Sequence, residues 1–127
     1  MKIIGVGVDI VDNKRIARSI KNKLFLERIY TKQEILLSKN IKNKASFFAN
    51  RFAAKEAFAK SLGIGFRKKL NFKDISVKKN NLGKPSFSIS NKIKNLIKKR
   101  FKTSSFNFFL SISDEKNYSV AFVVFQK

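Results

Sequence analysis

KASFFANRFAAKEAFAKSLG, residues 44–63, is the stretch that decides the fold of this chain. Half of its residues are alanine or phenylalanine, and alanine is the strongest helix former among the amino acids. Gly63 follows the last apolar residue, at the position where a left-handed residue commonly ends a helix. The sequence therefore predicts one long helix over residues 44–62.

Shorter segments with other periodicities surround this helix. The opening stretch, residues 3–12, alternates as a strand, with branched apolar residues on one face and Gly5, Gly7 and Asp9 on the other. We expect the glycine face to leave room for a ligand beside the Asp9 carboxylate. The other predicted elements are a basic helix over 13–29 that breaks near Asn22, a short helix with a Thr31–Glu34 capping box, a loop over 40–43, a strand over 72–79, its hairpin partner from Pro85, a helix capped by Ser90 or Asn91, and a terminal hairpin.

These elements predict an α+β fold, with a single small domain over residues 1–127 and a largely antiparallel sheet packed on the one long helix. With 127 residues and 43% hydrophobic composition, the chain can bury a core without cross-links. No apolar run approaches the roughly 18 residues of a membrane span. No cleavage pattern follows the opening stretch. We therefore expect a cytoplasmic protein that does not enter the membrane.

The composition restricts the chemistry. The chain contains no cysteine and no histidine, so any metal must bind oxygen ligands, which favours magnesium, calcium or manganese. Its 29 basic and 8 acidic residues give a formal net charge of +21. Three explanations remain open for that charge: compositional drift, binding of nucleic-acid phosphates, or an acidic protein partner together with a phosphorylated substrate.

Two of the few acidic residues are candidates for catalysis. Asp9 stands inside an apolar strand, where a carboxylate is costly to bury unless it is paired or holds a cation. Glu56 stands among alanines and phenylalanines on the long helix. Each also has a plain structural reading, because Asp9 can bond a helix N-terminus and Glu56 can pair with Lys60 four residues on. Together with Lys60, the two acids suffice to hold magnesium against a phosphate.

Four segments resemble the signatures of the bacterial holo-acyl-carrier-protein synthases, which are 4'-phosphopantetheinyl transferases. The segments are GVGVDIVDNKR (5–15), RFAAKEAFAKSLGIG (51–65), NNLGKP (80–85) and FLSISDEKNYSVAFVVF (109–125). They occur in the family's order and cover essentially the whole chain. The resemblance therefore implies the fold of this family.

The resemblance also implies an activity. Members of the family transfer 4'-phosphopantetheine from coenzyme A to a serine of acyl carrier protein, in fatty acid biosynthesis, and release adenosine 3',5'-bisphosphate. Asp9 and Glu56 would hold Mg2+, and Lys60 would add positive charge at the attacked phosphate. Glu56, directly or through a metal-bound water, would accept the serine proton. Such catalysis consists mostly of alignment and charge neutralisation.

Further site residues follow from the same resemblance. The nucleotide would be bound by Arg51, the loop after Gly63, Lys84 and Pro85. In this family the active sites lie between the protomers of a homotrimer. Without the family, a plain hairpin turn remains open for Lys84 and Pro85, and a solvated helix charge for Arg51.

The basic helix after Asp12 offers a docking face for the acidic carrier protein. The proposed docking residues are Arg15, Arg18, Lys21, Phe25 as an apolar anchor, and Arg28. An exposed run of charge that is only solvated remains the alternative for this helix.

Two positions depart from the family pattern: Asp114, and Leu82, which replaces a polar residue often seen before the GKP block. Many relatives carry histidine where this chain has Asp114; we favour a turn cap there over a role near the metal.

A small nucleic-acid-binding protein is the main competing function, but the phenylalanines fall at core-facing spacings and no known RNA-binding signature occurs. We therefore expect no nucleic acid. A noncatalytic interaction module would leave Asp9 and Glu56 unexplained.

Overall fold

The computed structural model describes residues 1–66 and 70–127. The strands are β1 (Ile3–Asp12), β2 (Ile75–Lys79), β3 (Pro85–Ile89), β4 (Asn107–Asp114) and β5 (Tyr118–Gln126). The helices are α1 (Asn13–Ser19), α2 (Lys23–Ile29), α3 (Lys32–Ser38), α4 (Lys44–Leu62) and α5 (Asn91–Phe101), and a 3-10 turn spans Phe72–Asp74. Among these helices, none is long and apolar enough to span a membrane.

Helix α4 is the centre of the fold, as the sequence predicted. It begins after Asn43, whose side chain accepts a hydrogen bond from Ser46 N at 3.0 Å. It ends at Gly63, which has the left-handed φ of 68°. The helix is buried on nearly every side, which is typical of a helix enclosed by other elements. The helix and its end were predictable from sequence because helix propensity and capping depend on residues close together in the chain.

The strands form two antiparallel sheets. The first has the order β1-β5-β4 and the second pairs β2 with β3. The prediction of an α+β domain with antiparallel pairing is confirmed, and the hairpins β2–β3 and β4–β5 join neighbours in sequence. Strand β1 instead pairs with β5 at the far end of the chain, with Asp9 opposite Ala121.

The glycine face of β1 lies directly against α4. A Cβ atom on Gly7 would overlap the Ala57 carbonyl oxygen and lie 2.8 Å from Ser61 N. A Cβ atom on Gly5 would overlap the Ser61 carbonyl oxygen. The expectation of ligand space at these glycines is therefore wrong, since the backbone of α4 occupies it. The glycines serve close helix–strand packing.

The opposite face of the three-stranded sheet is apolar and exposed. Val8 is 54% exposed and Ile10 64%, although both belong to the most apolar stretch of the strand. In the neighbouring strands Phe122 and Phe109 are 44% and 51% exposed. Val8 lies opposite Phe122 in the register, so these side chains form one continuous surface. Contiguous apolar surface of this kind marks sites of association.

Two boundaries refine the predictions. The predicted helix over 13–29 is two helices, and the predicted break at Asn22 is confirmed because its side chain caps α2 by accepting from Leu24 N at 2.9 Å. The strand predicted over 72–79 begins only at Ile75, because Phe72–Asp74 form the 3-10 turn. The predicted caps are present at Thr31, with its Glu34 capping box, and at Ser90.

Candidate active site

Asp9 and Lys60 meet where β1 crosses the last turns of α4. Lys60 Nζ lies 3.0 Å from Asp9 Oδ1 and donates to the Val8 carbonyl oxygen at 2.9 Å. The Asp9 side chain is 16% exposed, so its carboxylate is largely withdrawn from water but paired. The alternative in which Asp9 bonds a helix N-terminus is wrong, since Asp12 caps α1 by accepting from Lys14 N.

Glu56 lies one turn before Lys60 on α4 and is half-buried. Burial raises the pKa of Glu56, and the negative charge of Asp9 raises it further. The positive charges of Lys60 and Arg15 act in the opposite direction without cancelling these two effects. The simple pairing of Glu56 with Lys60 is not what the structure shows, because Lys60 bonds to Asp9. Two carboxylates thus face one lysine.

This donor set fits a magnesium ion that is shared with a phosphate. Within residues 1–66 and 70–127, no group of three histidine, cysteine, aspartate or glutamate side chains could hold a metal by itself. Magnesium is usually held by one or two carboxylates and completes its shell with substrate phosphates and water. The raised pKa of Glu56 beside Asp9 is the observation that favours a cation here, because a cation would relieve the repulsion between the two carboxylates.

A cavity of about 360 Å³ opens beside these residues. It is lined by Glu56, Ala59, Lys60, Gly63, Ile64, Gly65 and Phe66. Its polar end carries Glu56 and Lys60, and its apolar end is formed by the loop that follows α4. The structure describes this loop as far as Phe66. A larger cavity of about 510 Å³ runs along β3 and β4, but neither carboxylate lines it.

Phe66 is a cavity residue that the sequence reasoning missed. Its ring stacks on Phe72 with 3.7 Å between centroids and an interplanar angle of 10°. A lone aromatic residue directly after two loop glycines was the available signal, because such a residue has few neighbours in sequence to pack against. The stacking holds the end of the loop against the 3-10 turn.

Arg51 lies on a different face of α4 from the cavity that Glu56 lines. It is only 4% exposed, and its guanidinium lies 3.6 Å from the centroid of the Phe47 ring. Its Nη1 donates to the Phe47 carbonyl oxygen at 3.3 Å. Burial lowers the pKa of Arg51, which is partly offset by Glu34. Within this chain Arg51 is a packed side chain, so the alternative of a solvated helix charge is wrong. Its role in nucleotide binding stays a prediction.

Lys84 and Pro85 lie at the turn that joins β2 to β3. Gly83 has a φ of 83°, and Lys84 N donates to Asn80 Oδ1 at 2.9 Å. The predicted turn is therefore present. Among the described residues, the hydrogen bonds of this turn are internal to the hairpin, and none joins Lys84 to Asp9 or Glu56.

The basic face of α1 and α2 is exposed, but its apolar contact differs from the prediction. Arg15, Arg18, Lys21 and Arg28 all lie at the surface. Phe25 is half-buried, and its ring packs against Tyr30 and Phe52 at centroid distances of 6.2 and 6.3 Å. Leu24, beside it, is 71% exposed. The exposed apolar side chain among these bases is thus Leu24, and Phe25 points into the core.

Asp114 fastens β4 to α4. Its Oδ2 accepts from Ser46 Oγ at 2.6 Å and from Asn50 Nδ2 at 3.2 Å. These hydrogen bonds, that from Ser46 foremost, lower the pKa of Asp114. The favoured reading of a turn cap is therefore replaced by a contact between two elements far apart in sequence.

Comparison with known proteins places this chain in a family. Residues 5–123 match the family model of the 4'-phosphopantetheinyl transferase superfamily. The chain is 64% identical over 127 residues to the holo-[acyl-carrier-protein] synthase of Pelagibacter ubique, covering 100% of this chain and 99% of the relative.

Solved structures agree with this match. A crystal structure of holo-[acyl-carrier-protein] synthase from Neisseria meningitidis aligns with a TM-score of 0.89 at 38% identity, covering 99% of this chain and 100% of the other. The Helicobacter pylori enzyme in complex with coenzyme A aligns with a TM-score of 0.79 at 33% identity, covering 95% and 99%. The chain therefore belongs to the holo-acyl-carrier-protein synthase family of the 4'-phosphopantetheinyl transferase superfamily.

Proposed function

We propose that this chain transfers the 4'-phosphopantetheine group of coenzyme A to a serine of acyl carrier protein. The observation that carries the proposal is the Asp9–Lys60 ion pair beside a cavity that Lys60 and Glu56 line, in a chain of this family. The site needs no nucleophile of its own, because the carrier's serine hydroxyl attacks. This agrees with a chain that contains no cysteine and no histidine.

The reaction assigns one task to each side chain. The serine oxygen forms a bond to the pantetheine-bearing phosphorus of coenzyme A, and the bond from that phosphorus to the bridging oxygen breaks. Adenosine 3',5'-bisphosphate leaves with the bridging oxygen, and Glu56 accepts the serine proton. In the metal-free chain, burial and the charge of Asp9 raise the pKa of Glu56, so its carboxylate is there a stronger base than an ordinary glutamate. Lys60, half-exposed at the cavity, offers its charge to the phosphate oxygens.

Asp9 and Glu56 are the residues that we assign to a bound Mg2+, which neutralises phosphate charge and supports the leaving oxygen when present. The chain itself holds the Asp9 and Glu56 carboxylates close enough for the charge of Asp9 to raise the pKa of Glu56. Lys60 orients the Asp9 carboxylate through its 3.0 Å contact. Arg15 adds a further positive charge that acts on Glu56.

We also propose a homotrimer whose sites lie between protomers. The exposed apolar face of the β1-β5-β4 sheet supports association, since Val8, Ile10 and Phe122 are all well exposed in the single chain. In the part of the chain that the structure describes, the hydrogen bonds of the Lys84–Pro85 turn lie within its own hairpin, through Asn80, which suits a role at a site on a neighbouring copy. The residues that bind the nucleotide would then come from two copies of the chain.

The carrier protein is proposed to dock on α1 and α2. Residues 13–29 contain six basic residues and one acidic residue, which suits an acidic helical partner. Arg15 connects this surface to the site, because its guanidinium lies 5.7 Å from the Phe52 ring centroid and its charge reaches Glu56. Docking here would bring the serine to the catalytic end of the surface.

The test combines the protein with apo-carrier protein, coenzyme A and Mg2+ and measures the intact mass of the carrier. We expect a gain of one phosphopantetheine, and no gain with the Glu56→Gln variant or with excess chelator. Circular dichroism of Glu56→Gln serves as the folding control. A wild-type protein that leaves the carrier's mass unchanged, while binding RNA in a salt-sensitive way, would instead support the nucleic-acid alternative.

A further inference from the structure

A buried ion pair lies on the face of α4 that the proposed chemistry does not use. Lys55 Nζ is 2.6 Å from Glu34 Oε1, and both side chains are 0% exposed. Lys55 directly precedes Glu56 in the chain. Its side chain, however, points into the core, whereas Glu56 lines the cavity.

Every hydrogen of the Lys55 ammonium has an acceptor. Besides Glu34, it donates to the Ile29 carbonyl oxygen at 2.7 Å and to the Phe72 carbonyl oxygen at 3.2 Å. Glu34 is equally engaged: Oε1 accepts from Thr31 N and Oε2 from Val77 N, each at 3.0 Å. The pair is therefore a complete network of side chains and backbone groups with nothing left for a ligand.

The backbone groups in this network belong to segments that carry the rest of the proposed machinery. Ile29 ends α2, which bears the exposed Leu24 and Arg28 of the docking face. The 3-10 turn holds Phe72, on which the cavity residue Phe66 stacks. Val77 lies in β2, whose hairpin leads to Lys84 and Pro85. One ion pair thus joins three functional segments to the helix that carries Glu56.

Stability alone is a poor reason for such a pair. Desolvating two charges costs several kcal/mol per ion, and buried ion pairs can often be replaced by apolar residues with no loss of stability. A lysine with three fixed acceptors does impose one arrangement on the segments that supply them. An apolar side chain of the same volume would fill the space without specifying that arrangement.

We propose that Lys55 and Glu34 are positioning residues, which hold the docking helix α2 and the β2–β3 hairpin in register with Glu56 so that both substrates bind productively. This inference rests on the proposed function. The pair acts through the segments it holds and does not touch either substrate. Its loss should therefore weaken substrate binding while the Asp9, Glu56 and Lys60 face of the site stays intact.

The test uses the double variant Lys55→Met/Glu34→Gln, which removes both charges and keeps the volumes similar. We expect the KM for apo-carrier protein to rise about tenfold or more, the KM for coenzyme A to rise by a smaller factor, and kcat to stay within about threefold. A merely structural role would reduce the active fraction, which lowers kcat and leaves both KM values unchanged. That result, or kinetics identical to wild type, overturns the proposal.

The control is the variant Lys99→Met on α5, which removes an exposed charge outside the segments that the ion pair joins and should alter neither KM. A second measurement needs no variant. The amides of Thr31 and Val77 both donate to Glu34, so saturating carrier protein should slow their hydrogen exchange together in the wild type. If exchange at both amides is unchanged, the proposal is wrong even where the double variant does not fold.

An inactive wild type would refute the proposed function. An active wild type together with a double variant whose KM values are unaltered refutes only this inference.

Discussion

Lys60 on α4 forms its ion pair with Asp9 of β1, at 3.0 Å, and not with Glu56 one turn away on its own helix. The same ammonium donates to the Val8 carbonyl oxygen, so it fastens the strand to the helix at the site. Glu56 is thereby left half-buried beside a second carboxylate. The electrostatics of the site follow from this arrangement.

The first prediction concerns the titration of Glu56 in metal-free protein. Its pKa should lie above that of an ordinary glutamate, because of burial and the Asp9 charge. Asp9→Asn should lower this pKa and Lys60→Met should raise it further. Carboxyl-carbon NMR across the acidic range measures all three. Shifts of the same sign in both variants would contradict the assigned arrangement.

Glu56→Gln should stabilise the metal-free protein at neutral pH. The folded pKa of Glu56 is raised, so its contribution to stability is complete below the unfolded pKa and is lost as the pH rises through the folded value. Glutamine does not titrate. The melting temperature of the variant should therefore exceed that of wild type by a margin that widens between about pH 4 and pH 7. A margin that narrows over this range would show that Glu56 is stabilised as an anion.

Gly7→Ala should destabilise the fold by about 1–3 kcal/mol or more, since its Cβ would overlap the Ala57 carbonyl oxygen of α4. Urea unfolding followed by circular dichroism measures the change. Gly65→Ala is the matched control, because a Cβ there has no heavy atom of residues 1–66 or 70–127 within 4 Å and should change stability by less than about 1 kcal/mol. Equal stability of the two variants would mean that β1 does not pack so closely on α4.

Substitutions of Leu24 and Phe25 should have different effects, one on carrier-protein docking and the other on folding stability. Leu24→Ala should raise the KM for carrier protein roughly fivefold, about 1 kcal/mol, with little effect on the melting temperature. Phe25→Ala should lower the melting temperature, and its loss of unfolding free energy should be smaller than the roughly 3–5 kcal/mol typical of a fully buried phenylalanine. Carrier kinetics and thermal unfolding of both variants test this. A Leu24→Ala variant with an unchanged KM would remove Leu24 from the docking face.

Phe122→Glu should dissociate the proposed homotrimer, because it places a charge in the exposed apolar face of the first sheet. Analytical ultracentrifugation gives the mass in solution. Leu36→Glu, at a residue 63% exposed on α3, is the control and should keep the wild-type mass. A wild type that sediments as a monomer would contradict the trimer directly.

The sequence by itself determined the elements that depend on neighbours in the chain. Helix α4 and its end at Gly63, the caps at Asn22, Thr31 and Ser90, and the two hairpins all arise from propensity and from hydrogen bonds that span a few residues. The candidate residues Asp9, Glu56 and Lys60 were also available from sequence, because an acid in an apolar segment is costly unless it is used.

Only the tertiary structure decided which partners these residues meet. Alternation in β1 shows that its two faces differ, but packing against α4 buried the glycine face and left Val8 exposed. Likewise Glu34, predicted as a helix cap, became the buried partner of Lys55, and Arg51 was taken into the core. Such pairings join residues far apart in sequence, and their free energy depends on burial and distance that periodicity does not encode.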